Sequence, residues 1–225
     1  MIKARDKNGQ GISEEELIGH VSLLMWGSRD AVTNAIVWTL FLLTQHPDVY
    51  QDAISETEAI LKGEAPEIEQ LGNLPLLENI VKESLLLFPP FPITHRVTGR
   101  ERELAGYTIP VRTEIGMSIY HTNRMPELYE NPKKFNPNRW NSKNPPPLLS
   151  FGMGPHGCVE FNSGWQELLI ILPTLIQRFR FQPKPRIIVN GEVKVALTRC
   201  VHFSYSSCIF QNKRTTTHKK NLIKR

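Results

Sequence analysis

From Ser13 to Gln45 the chain is apolar on both sides of a polar centre, Gly27-Ser28-Arg29-Asp30. That pattern predicts one long helix. Ser13 suits its N-cap, Glu16 completes a capping box three residues on, and Pro47 stops it. At 1.5 Å per residue such a helix is roughly 50 Å long. Apolar residues at both ends predict a buried axis rather than a surface element. Polar residues at its centre then need a partner, a water or a ligand. A central helix at the start of a chain implies that a large N-terminal portion of the fold is absent.

A second helix is predicted over about 48–62, with acids on its exposed face and an end at Gly63; a third, over about 74–87, is closed by Pro89 and Pro90. The alternation and glycine turns of HRVTGRERELAGYTIPVRTEIGMSIY predict two or three short strands. Residues 131–147 are rich in Pro and Asn and read as a structured meander. A helix over about 159–178 follows, with Pro173 inside it at a cost of about 3 kcal/mol. PRIIVNGEVKVALT reads as a hairpin turning at Asn190-Gly191. The sum is a mainly α chain with a small β component, an α+β fold.

Composition narrows this picture. The net charge is +5, but the last fifteen residues hold six Lys and Arg and no acid, leaving 21 basic against 22 acidic residues elsewhere. The basicity is a tail, expected to be solvated and disordered, so no specific nucleic-acid partner is expected. No apolar run approaches the roughly 20 residues of a membrane span, and the polar start is unlike a signal peptide. Three cysteines, at 158, 200 and 208, suit a reducing compartment or one functional thiol rather than a disulfide framework. The expected division is a polar segment at 1–12, a domain at 13–205 and a basic tail at 206–225.

The candidate chemistry lies in FGMGPHGC, residues 151–158, a glycine-rich loop ahead of a helix. Loop amides and a helix N-terminus can stabilise a thiolate, so Cys158 reads either as a metal-binding thiolate or as a small buried residue. A zinc or thiol-redox site is the weaker reading, because no His/Cys pair has ligand spacing.

Four motifs in order resemble the cytochrome P-450 superfamily of heme-thiolate monooxygenases, over about residues 10–200 and its C-terminal half only. The cysteine signature F-x-x-G-x-R-x-C-x-G is matched by Phe151, Gly154, His156, Cys158 and Glu160. The E-x-x-R helix is matched by Glu83 to Leu86, the meander by Phe135, Pro137, Arg139 and Trp140, and the central-helix core by Gly27 to Ala31. The resemblance implies Cys158 as axial ligand of heme iron, where a thiolate favours O–O cleavage. It implies Phe151 packed beside that ligand, Gly154 and His156 at the cofactor, and Arg96 and Arg124 at the heme propionates. It further implies an electron-donating reductase, a small apolar substrate and, for full-length relatives, the endoplasmic reticulum membrane; the chain as written reads as cytoplasmic. The spelling of 151–169 resembles fungal members that tailor secondary metabolites.

The departures fall at demanding positions. His156 stands where the family has arginine, and Glu160 where it has a glycine allowing close approach to the porphyrin. Leu86 replaces the arginine that joins Glu83 to Arg139, leaving those two to pair directly. Ala31 replaces the threonine of oxygen activation, with Asp30 left as a proton relay. The resemblance therefore implies a monooxygenase, and the departures imply its alternative, a truncated, catalytically inactive remnant.

Overall fold

A computed structural model describes residue 5, residues 7–182 and the strand segments Glu192–Val193, Arg199–Cys200 and Gln211–Asn212. The helices are α1 (Glu14–Gln45), α2 (Pro47–Leu61), α3 (Pro75–Leu87), a short α4 (Ile119–Thr122) and α5 (Phe161–Arg178). The Ser13 hydroxyl accepts from the Glu16 amide at 3.2 Å, and the Glu16 carboxylate accepts from the Ser13 amide at 2.9 Å. The capping box is therefore formed. Pro47 opens α2 rather than merely closing α1, its fixed φ suiting a first helical position.

The chain between α3 and α4 forms two antiparallel pairs, not two or three strands. β1 (Thr94–Val97) pairs with β4 (Glu114–Met117), and β2 (Arg102–Leu104) pairs with β3 (Tyr107–Ile109). Ala105 and Gly106 both have positive φ, at 51° and 81°, the geometry of a two-residue turn that matches strand twist. β5 (Phe179–Arg180) ends α5. Glu192–Val193 pairs with Arg199–Cys200; the hairpin turn expected at Asn190-Gly191 lies outside the described residues. So does the basic tail, apart from Gln211–Asn212.

The core gathers the second half of α1 with α2, α3 and α5. Val32, Ala35, Ile36, Trp38, Leu42 and Leu43 are buried, and Trp38 stacks on Phe88 at 3.8 Å. The expectation of a wholly buried α1 fails over its first half, where Ile18, Leu23, Met25 and Trp26 are each more than half exposed. Nothing in the described structure packs over that end. α5 runs unbroken through Pro173, which is itself buried in the core.

α3 is the hub. At its N-terminus the Glu56 carboxylate accepts the Leu76 and Leu77 amides at 2.8 and 2.9 Å, filling orphan donors and meeting the positive end of the helix dipole. Its last carbonyls would be orphaned by the prolines that follow. Leu85 O accepts from the Ser150 hydroxyl at 2.7 Å, Leu86 O from the Asn123 side-chain amide at 2.9 Å, and Leu87 O from Arg124 Nη2 at 2.7 Å.

Midway along α3, Glu83 is fully buried. It accepts from Asn136 N at 2.9 Å, Arg139 Nε at 2.8 Å and Trp140 Nε1 at 2.9 Å. Arg139 spends its remaining donors on Glu130 O at 2.6 Å and Lys134 O at 3.1 Å. The pair forms without an arginine at position 86, and Leu86 is buried in the apolar core instead.

Removing one member of a buried charged pair strands the other, at about 3–5 kcal/mol. Glu83→Ala and Arg139→Ala are each expected to cost that much in urea unfolding, and the double variant less than their sum. Burial pushes the Glu83 carboxyl up from its ordinary 4.5, against the pull of Arg139, the Asn136 amide and Trp140. The folded state thus keeps this proton to higher pH than the unfolded chain. Stability from this group falls as pH rises from the ordinary value through the raised one, and Glu83→Gln is expected to lack that slope.

Candidate functional site

The cysteine loop is assembled on α3 and α5. Ser150 ties it to α3 as described, and a 3₁₀ turn at Leu149–Phe151 leads into Gly152 at φ 72° and Gly154 at φ 68°, where side chains would be strained. A second 3₁₀ turn, Gly154–His156, brings the chain back, and the Cys158 amide donates to Phe151 O at 2.8 Å. Phe151 meets Phe161 edge-on at 4.8 Å and Trp165 at 6.0 Å, and these rings back the loop against α5. The loop is thereby held, and its thiol is free and exposed rather than sunk among aliphatic side chains.

The thiol faces a cleft of about 400 Å³. The opposite wall is one face of α1: Leu24, Gly27, Ser28, Ala31, Val32 and Ala35. Leu85, Pro90, Phe91, Thr94 and Ile119 line one side, and Gly164 and Leu168 of α5 another. α1 and α5 touch where Gly164 stands against Val32, so that a Cβ on Gly164 would lie 3.9 Å from Val32 Cγ2. The small residues on the α1 face leave a slot between helix and sulfur. Its lining is mainly apolar, and its ionisable members are His156, Cys158 and Glu160.

The expected residues divide. Phe151, His156, Cys158 and Ala31 meet at this cleft, and Gly154 supplies the turn beneath it. Asp30 does not line it; one helical position from Ala31, it faces solvent. Neither arginine expected at the cofactor's carboxylates reaches it. Arg124 is held beneath α3 by Leu87 O and by Tyr120 O at 3.0 Å, and lies over the Tyr120 ring at 3.5 Å. Arg96 donates to His95 O at 2.7 Å and lines a separate hollow with Arg100 and Arg102. Arg124 is drawn to Leu87 O, a carbonyl that only the tertiary fold brings near, whereas Arg96 turns back onto the carbonyl of its own neighbour. Glu83 and Arg139 lie behind the site, where they fasten the meander. Ser28 lines the cleft, as a residue of the polar centre that needs a partner, while Leu24 and Ala35 were missed, although positions 24, 28, 31 and 35 recur at the three- and four-residue spacing of one helix face.

The chemistry of this lining, an exposed thiol opposite a wall of small, mainly apolar side chains, suits a largely apolar group held against the sulfur. Among the described residues no cluster of three or more His, Cys, Asp or Glu could hold a bare metal ion.

The Cytochrome P450 family model matches residues 1–218. The chain belongs to the cytochrome P450 family. Members of the family are heme-thiolate proteins supplied with electrons by redox partners. The chain is 34% identical over 180 residues to mouse (Mus musculus) mitochondrial 25-hydroxyvitamin D-1 alpha hydroxylase, covering 77% of itself and 36% of that protein. It is 31% identical over 184 residues to cyclooctat-9-en-7-ol 5-monooxygenase of Streptomyces melanosporofaciens, covering 80% and 40%. The solved structure of retinoic-acid-bound cyanobacterial CYP120A1 superposes with a TM-score of 0.81 at 27% identity, over 89% of this chain and 47% of that one. This P450 chain thus spans less than half the length of each. Among the described residues no helix is long and apolar enough to cross a membrane.

Because Cys158 is exposed and its amide, not its sulfur, fastens the loop, Cys158→Ser is expected to shift stability by no more than about 0.5 kcal/mol in urea. Iodoacetamide is expected to modify Cys158 in the folded protein, read by peptide mass.

Proposed function

We propose that this chain is the cysteine-loop half of a heme-thiolate monooxygenase acting on a small apolar substrate, with Cys158 as the axial ligand. The observation that carries this reading is the exposed Cys158 sulfur facing an apolar slot walled by α1. When bound, heme supplies dioxygen activation: one oxygen atom enters a substrate C–H bond, and the other leaves as water with protons from solvent and electrons from a reductase.

The chain's own residues do the positioning. The Gly152 and Gly154 turns shape the loop that carries the sulfur, and Phe151, braced by Phe161 and Trp165, backs that loop against α5. His156 offers the heme carboxylates an imidazole donor, a weaker hold than a guanidinium with five N–H groups. Leu24, Val32, Phe91 and Ile119 give the substrate an apolar surface, and the Ser28 hydroxyl is a polar group on the α1 wall. Ala31 holds no proton; substrate hydroxyls or water must carry protons there, because Asp30 stands outside the lining. The spelling of residues 151–169 supports a tailoring role in fungal secondary metabolism.

A second reading, a non-enzymatic remnant of such an enzyme, is favoured by a specific observation. The cleft lining carries no Lys or Arg, while Arg96 and Arg124 are engaged elsewhere. Reduced, carbon-monoxide-treated protein supplied with hemin separates the two. The absorption band of thiolate-ligated heme, lost in Cys158→Ser, is expected from the first reading. Its absence in the wild-type chain would sustain the second.

A further inference from the structure

Glu160 occupies the N-cap position of α5, where a carboxylate is ordinarily stabilised by turning onto the helix's own amides. It makes no such bond. Its backbone is fixed, with Glu160 O accepting from Gly164 N at 2.8 Å and from the Ser163 hydroxyl at 3.2 Å. Its side chain instead crosses toward α1, and Oε2 comes within 3.8 Å of the point where a Cβ on Gly27 would stand. Both Glu160 and Gly27 line the slot that Cys158 faces. The carboxylate therefore spans from the cysteine wall to the α1 wall, where it ends at ordinary contact distance from the Cβ that Gly27 lacks. A flat group entering between sulfur and α1 has to meet this anion. Holding a carboxylate against an apolar ring and a thiolate without a partner is unfavourable, so entry requires the side chain to swing out, toward the α5 amides or solvent.

We infer that Glu160 is a latch across the slot, and that its displacement sets how tightly the chain takes up heme. The inference rests on the heme reading above and concerns a residue that reading does not need. The test is titration of the full chain with hemin, followed by heme absorbance and by quenching of tryptophan fluorescence. Wild type is compared with Glu160→Gly, Glu160→Ala and Glu160→Gln. Glycine at an N-cap costs little helix stability, and melting curves of each variant check that it folds; the alanine variant stands in if the glycine one does not. Glu160→Gly and Glu160→Ala are expected to bind hemin about tenfold more tightly or better. Glu160→Gln, which removes charge but keeps bulk, is expected to fall between them and wild type. If all the proteins bind hemin and the glycine variant lies within about twofold of wild type, the latch is overturned and the heme reading stands. If none binds hemin, the heme reading falls and the latch with it.

Discussion

One buried carboxylate holds this structure in register. Glu83 lies inside α3 with no contact to water, and its oxygens are taken up by three donors, all from the meander segment Asn136–Trp140. An anion so placed is costly unless every lone pair is answered, which makes the geometry of the meander non-negotiable. Arg139 transmits the constraint by binding carbonyls of the preceding turn. The far end of α3 is fastened in the same manner, its last three carbonyls taken by Ser150, Asn123 and Arg124. The cysteine loop hangs from one of those bonds. The position of the sulfur is thus set by polar bonds along a single helix, and the apolar packing of α1, α2 and α5 around that helix supplies the burial that makes those bonds strong.

The two arginines lost from the family pattern show how this network tolerates change. With Leu86 in place of arginine, the core gains an apolar residue and Arg139 binds Glu83 without an intermediary. The scaffold survives because the remaining pair can close on its own. At the cleft there is no such substitute. Arg96 and Arg124 are held by backbone carbonyls, and His156 is the residue left to answer a cofactor's carboxylates. The change at position 86 is answered locally by the direct pair, whereas the cleft lining holds no arginine to stand in for the one absent at position 156.

Sequence showed most clearly what is local. The capping box at Ser13, the prolines after α3 and the glycine-rich cysteine loop are decided by residues within a few positions of one another, and the family follows from four such local motifs in order, the cysteine loop among them. The routes of long side chains were not legible, because Arg124 and Glu160 reach groups that only the folded chain assembles, and Arg96 turns back onto the adjacent His95 carbonyl. The strand count was underestimated because the Ala105-Gly106 turn requires a positive φ at alanine, which residue type alone does not announce. The hydropathy of α1 overstated its burial: an apolar pattern records what a helix is built to bury, not whether the neighbours are at hand.

That last point has a material consequence. Ile18, Leu23, Met25 and Trp26 stand more than half in water on the leading half of α1. Four large apolar side chains left in water on one half of a helix are more than a solvated helix needs. That end of the helix offers an apolar surface to whatever apolar group meets it. Because Leu23 and Trp26 also line the cleft that Cys158 faces, an amphiphile that wets this end of α1 stands at the mouth of the same cleft.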